Sequence, residues 1–186
     1  DLQGDPAALT EAVELCRRAV AQRPDFLAAQ RDLGALLLRQ GQPSAALDAM
    51  TAAARLAPEL PEVQRALGDA LLLAGRSADA RERYRRALDL CPTYVAALTS
   101  LARLALTGGD LAQATSLAER ARAQAPGDAA ALAILGGVYR RQGRVDEALS
   151  VLRRALAQDP DHADAAEELL LLQAPRPREP ALRPRP

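Results

Sequence analysis

A 34-residue register constrains this chain more than any other feature of its sequence. Gly34, Gly41, Ala46, Ala53 and Pro58 recur as Gly68, Gly75, Ala80, Ala87 and Pro92. They recur again as Ala102, Gly109, Ala114, Ala121 and Pro126, and then as Gly136, Gly143, Ala148, Ala155 and Pro160. Five markers held in phase over four copies specify a linear array, whose core grows along one axis. Full repeats fall at 27–60, 61–94, 95–128 and 129–162.

Each repeat divides into two helices. In the first copy, apolar residues at helical spacing predict helix A over about 26–40 and helix B over about 43–57. Gly41 ends helix A, because glycine enters the left-handed conformation without a Cβ clash. Pro58 ends helix B, because proline donates no helix hydrogen bond. The same reading predicts helices near 60–74, 77–90, 93–108, 110–124, 127–142 and 144–158. Short turns make each pair antiparallel. Two helices of this length are marginal alone, so stability must come from stacking pairs. Gly34, Ala46 and Ala53 are small so that helices approach closely, while Leu33, Leu37 and Met50 fill the space left between them.

The two ends depart from the full repeat. Residues 1–24 read as a half repeat with its second helix only: Asp5 is the N-cap, Pro6 the first helical residue, and Ala12, Ala19 and Pro24 match the second-helix markers. The chain starts without Met, which raises the expectation that an upstream segment has been removed. A last helix near 161–173 reads as a cap, with 163–173 beyond the fourth repeat. It carries Leu169, Leu170 and Leu172, with Asp164, Glu167 and Glu168 on another, water-facing side. Residues 174–186 are Pro- and Arg-rich and read as a disordered tail. Pro177 and Pro180 form a PxxP pattern, a minimal ligand for an SH3-type domain or a plain linker feature.

Composition narrows the function classes. Acids and bases balance at 24 each, so no net charge points to nucleic acid or to an acidic membrane. Phe26, Tyr84, Tyr94 and Tyr139 are the only aromatics, too few to stack bases along a strand. Cys16 and Cys91 sit at different repeat positions and read as separate buried thiols. His162 is the sole histidine, beside Asp159 and Asp161 in a turn. No second histidine completes a metal site, and no cofactor motif is visible. No nucleophile, base and orienting partner can be assembled, so the chain reads as non-enzymatic. No apolar run is long enough to span a membrane. A cytoplasmic location is the expectation, and a periplasmic one follows if the upstream segment was a signal.

The period of 34 and the order Leu-Gly, aromatic or Leu, Gly, Ala, large apolar, Ala, Pro resemble the tetratricopeptide repeat family over residues 5–173. The family's frequent Trp is replaced by Gln30, Gln64, Leu98 and Leu132, and its Tyr after Leu-Gly survives only as Tyr139. The resemblance implies an all-α, right-handed superhelical solenoid of antiparallel hairpins that holds a peptide or helix in a concave groove lined by the A helices. It places Arg31, Leu38, Arg39, Glu62, Arg65, Asp69, Leu72, Arg103, Leu106, Arg140 and Arg141 along that groove, with Leu73 beside them. Arginines over a leucine stripe fit an acidic-hydrophobic segment, since Arg is the better fork for carboxylates. A solvated Arg face over leucines that merely pack is the alternative.

Two subfamily signatures are missing. The carboxylate clamp of chaperone-binding members would fall at Arg31, Ala35, Ala66, Ala96 and Ser100, or at Arg65, Asp69, Ser100, Ala130 and Ile134, and only its first base is present in either register. The Asn ladder of glycosyltransferase-linked arrays would fall at Asp32, Ala66, Ser100 and Ile134, and is also absent. The expected function is a protein-binding scaffold. A self-assembling module that stacks end to end through its first helix, or an accessory arm of a larger enzyme or regulator, are the alternatives.

Overall fold

The computed structural model describes residues 6–173. The expectations for Asp5 and for the 174–186 tail lie outside the described residues. Ten α-helices and no strand occur among the described residues: α1 Pro6–Gln22, α2 Leu27–Arg39, α3 Pro43–Leu56, α4 Pro61–Leu73, α5 Ser77–Leu90, α6 Val95–Thr107, α7 Leu111–Gln124, α8 Ala129–Arg141, α9 Val145–Gln158 and α10 Ala163–Gln173. Their bounds match the sequence expectation to within two residues, as helix ends usually do. Helices pair as α2 with α3, α4 with α5, α6 with α7 and α8 with α9, and each pair stacks on the next into a superhelix.

The turns inside the hairpins are set by backbone geometry. Gly41, Gly75, Gly109 and Gly143 have φ of 71°, 79°, 84° and 75°, the left-handed region that a side chain disfavours. Close approach fixes a second set of glycines. A Cβ at Gly34 would lie 2.8 Å from Met50 and one at Gly68 2.5 Å from Tyr84, and one at Gly136 would run into Leu152. Small residue on helix A against large residue on helix B is thus the repeated joint of the array. The third copy solves the same joint with Ala102 and Ala118, both fully buried.

Turns between hairpins are tied differently along the chain. Gln30 donates from Nε2 to the Pro24 carbonyl at 3.0 Å, and Gln64 to the Pro58 carbonyl at 2.8 Å. Both glutamines are buried, so the bond satisfies an amide that would otherwise be costly. Leu98 and Leu132 occupy the matching positions in the later copies and are buried as core. Two later helices carry side-chain caps: Asp128 accepts from the Ala131 N–H at 2.7 Å at the start of α8, and Asp110 from the Gln113 N–H at 2.9 Å inside the α6–α7 hairpin. His162 Nδ1 accepts from the Ala165 N–H at 3.3 Å, which gives this histidine a capping role at the start of α10.

Two expectations are corrected. Cys16 and Cys91 are free thiols, as expected, but half-buried rather than buried. On α10, Leu169 and Leu172 pack against Leu132 and Leu152 while Leu170 is 67% exposed, because no further helix lies beyond it among the described residues.

Candidate functional site

The A helices α2, α4, α6 and α8 lie side by side, and α10 follows α8 in the same row. The residues expected to line one groove divide into two groups along this row.

The first group lies on α2 and α4. Arg31 and Arg39 are exposed. Arg65 and Asp69 are half-buried and form an ion pair one helical turn apart. Asp69 also accepts from the Tyr84 hydroxyl at 2.8 Å, and Arg65 Nε donates to the Tyr94 hydroxyl at 3.3 Å. Burial raises the Asp69 pKa, and Arg65 and Tyr84 only partly offset it. Burial also pushes the Tyr84 hydroxyl well above its ordinary value, reinforced by the Asp69 charge beside it. For Arg65, burial opposes the charge, but Asp69 and the Tyr94 hydroxyl outweigh it and raise the pKa. Arg65 of α4 is thereby held in a polar cluster rooted in the core through Tyr84.

Leu38 and Leu72 are half-buried and pack against the core between neighbouring helices, whereas Leu73 is 62% exposed. The leucine stripe is therefore partly structural and partly available. Glu62 is exposed in the first turn of α4.

The second group lies on α6 and α8, and α10 occupies it. Arg103 pairs with Asp164 across a separation of 61 residues. Arg140 donates to Glu168 through Nε, and the Glu168 bond raises the Arg140 pKa against the opposing effect of burial. Arg141 donates to the Leu106 carbonyl in the last turn of α6, which also accepts from the Gly109 N–H at 3.1 Å. Leu106 is buried. The expectation that Asp164, Glu167 and Glu168 sit on a water-facing side is corrected for two of the three. Asp164 and Glu168 turn to the arginines because α10 lies in the row of A helices. A cavity of about 350 Å³ remains between Arg103, Ile134, Arg141, Glu167 and Leu171.

Small or apolar residues receive this docking. Ala133, Ile134 and Gly137 are buried, whereas their counterparts Arg31, Asp32 and Ala35 on α2 are exposed. A Cβ at Gly137 would lie 2.9 Å from Glu168 Oε1 and 2.9 Å from Leu106 Cδ2. Thr99 gives its hydroxyl to the carbonyls of Val95 and Ala96, both at 3.1 Å, so it serves its own helix.

Sequence reasoning missed Tyr94, Asp164 and Glu168 as groove residues. The register held a signal for one of them, since Asp164 falls three periods after Glu62. A larger cavity of about 510 Å³ lies between α3, α4 and α5. Its Arg76 pairs with Asp79 and its Arg86 with Glu59, so its charges are largely spent on neighbours. No cluster of three or more metal-ligating side chains occurs among the described residues. No described helix is long and apolar enough to cross a membrane.

Comparisons with known proteins agree with this architecture. The family model described as tetratricopeptide repeat matches residues 31–95 and 99–163. A search of the curated proteins finds none that matches. Among solved structures, the chain is similar to TTC0263, a thermophilic protein of this repeat type in Thermus thermophilus. The TM-score is 0.73 at 22% identity, over 87% of this chain and 91% of that one. It is similar to YrrB, described as having an unusual peptide-binding site, with a TM-score of 0.64 at 22% identity over 88% and 84% of the two chains. It also superposes on part of the APC/C assembly Cut9-Hcn1, with a TM-score of 0.80 at 22% identity, over 89% of this chain and 33% of that one. At these identities the likeness is one of fold.

Proposed function

Because the chain belongs to the tetratricopeptide repeat family, we propose that it is a non-catalytic scaffold whose groove over α2 and α4 binds an acidic, leucine-bearing segment of a partner protein. One observation carries this reading. Helix α10 is itself an acidic, leucine-rich segment, and it lies against the A-helix row with Asp164 on Arg103 and Glu168 on Arg140. The row thus accepts that chemistry at one end, and the open end repeats the same ingredients: Arg31 and Arg65 for carboxylates, Leu38, Leu72 and Leu73 for apolar anchors.

The physical basis is preorganisation. Asp69 and Tyr94 hold the Arg65 guanidinium in place, so less side-chain entropy is lost when a carboxylate arrives. Leucines beside it supply the apolar contact that an exposed ion pair alone lacks. The polar groups here are arginines held by carboxylates and a phenol, which bind and orient rather than attack.

The test is a titration of a labelled peptide carrying acidic and leucine residues at helical spacing, followed by fluorescence anisotropy. Binding is expected, and it should weaken with added salt as exposed charges are screened. Arg31→Glu and Leu72→Asp should each lower affinity at least tenfold, while Arg86→Glu on the opposite cavity leaves it unchanged. Binding that ignores salt and survives both groove variants would end the reading.

A further inference from the structure

Helices α1 and α10 are the two that lack a hairpin partner among the described residues: α1 packs on α2 alone, and α10 packs on α8 and α9. In register, α1 is a second helix and α10 a first helix. We propose that α10 of one copy of this chain pairs with α1 of a second copy, completing a composite repeat and continuing the array from chain to chain.

Volume at the repeated joint points to this occupant. Inside the chain the joint sets Gly34 against Met50, Gly68 against Tyr84 and Gly136 against Leu152. Leu170 of α10 stands one period after Gly136, and Cys16 of α1 one period before Met50. The two ends therefore carry the inverted pair, large on the first helix and small on the second. A glycine-bearing first helix would leave a gap over Cys16, and a large second-helix residue would collide with Leu170. Leu170 and Cys16 suit each other. Leu170 is 67% exposed although its counterparts in the array are buried. Cys16, with Ala12, Ala35 and Leu36, lines an open slot of about 310 Å³ between α1 and α2. Leu15 is 52% exposed, whereas its counterparts Ala49 and Leu117 are both 6% exposed, Val151 is half-buried and only the polar Arg83 is exposed.

The new contact would continue an interface that the chain already builds four times. Charge agrees with it. On α10, which carries no base, Glu167 is exposed while Asp164 and Glu168 pair within the chain, and α2, which would stand next in the row, exposes Arg31 beside Asp32. Such a contact is heterologous, so it leaves one open end of each kind and propagates as a filament rather than closing as a dimer.

Sedimentation of the 186-residue chain over a dilution series tests this. The mass is expected to rise with concentration above the 19.7 kDa of one chain, without a plateau at two. Leu170→Glu and Leu15→Glu should each give a single-chain mass with unchanged helical circular dichroism, since both side chains are exposed. Mixed together, the two variants should recover a species of two chains and no larger, because one intact end of each kind remains. Leu170→Cys with Cys91→Ser should form a ladder of disulfide-linked chains through Cys16 under mild oxidation. A single-chain mass at every concentration, a plateau at two chains, or no complementation between the two glutamate variants would each overturn the proposal.

Discussion

The two halves of the A-helix row are built from one repeat and end in opposite states. On α2 and α4 the groove residues Arg31, Asp32 and Ala35 are exposed, and Arg65 is held beside Asp69 and Tyr94. On α8 the counterparts Ala133, Ile134 and Gly137 are small or apolar and buried, and α10 supplies carboxylates to Arg103 of α6 and Arg140 of α8. The core follows the same division. Gln30 and Gln64 bond proline carbonyls in the early copies, while Leu98 and Leu132 fill the same place in the later ones. A repeat can thus keep its scaffold markers and still be tuned, position by position, for an open or an occupied groove.

The largest effect should come from the joint that roots the open half in the core. Tyr84→Ala removes a fully buried ring beneath Gly68 and the donor to Asp69, and is expected to cost ~3–5 kcal/mol in chemical denaturation. Tyr84→Phe removes only the donor and should cost ~1–3 kcal/mol, which separates packing from the polar cluster. Ala80→Leu should cost ~1–3 kcal/mol by forcing α4 and α5 apart, since Ala80 is fully buried.

On the closed half, Glu168→Ala leaves the Arg140 guanidinium half-buried without its carboxylate and should cost ~1–3 kcal/mol. Hydrogen exchange should then speed up in α10 and leave α2 unchanged; equal acceleration in both would break the comparison. Arg103→Ala at the more exposed pair should cost no more than ~1 kcal/mol. Gly137→Ala should loosen α10 mildly, because the crowded atoms are the ends of the flexible Glu168 and Leu106 side chains.

The smallest effect is a titration. Asp69 should titrate above the ordinary carboxylate range by carbon-detected NMR, because burial raises its pKa. Arg65→Gln should raise it further, since Arg65 acts to lower it. The folded value lies above the unfolded one, so the contribution of Asp69 to stability is present below the unfolded pKa and is lost as pH rises through the folded pKa. An Asp69 pKa that falls on removing Arg65 would contradict the burial account.

What the sequence makes legible is what local geometry demands. Gly41 and its three counterparts announce their turns because only a left-handed backbone fits there. Gly34 with Met50 and Gly136 with Leu152 announce close helices by size alone. The groove is less legible because its charges pair across repeats. Arg103 meets Asp164 over two periods through the curvature of the row, which no local pattern encodes. Arg65 meets Tyr94 at the far end of its own repeat. The sequence also cannot distinguish a leucine that packs from one that waits for a ligand: Leu106 is buried, Leu72 half-buried and Leu73 exposed in the same stripe.

Amide chemical-shift mapping with the acidic, leucine-bearing peptide tests the central claim most directly. The account predicts shifts on α2 and α4, centred on Arg31, Ala35, Arg65 and Leu72, with α8 and α10 silent. Shifts confined to α8 and α10, or to the cavity around Arg76 and Arg86, would contradict it.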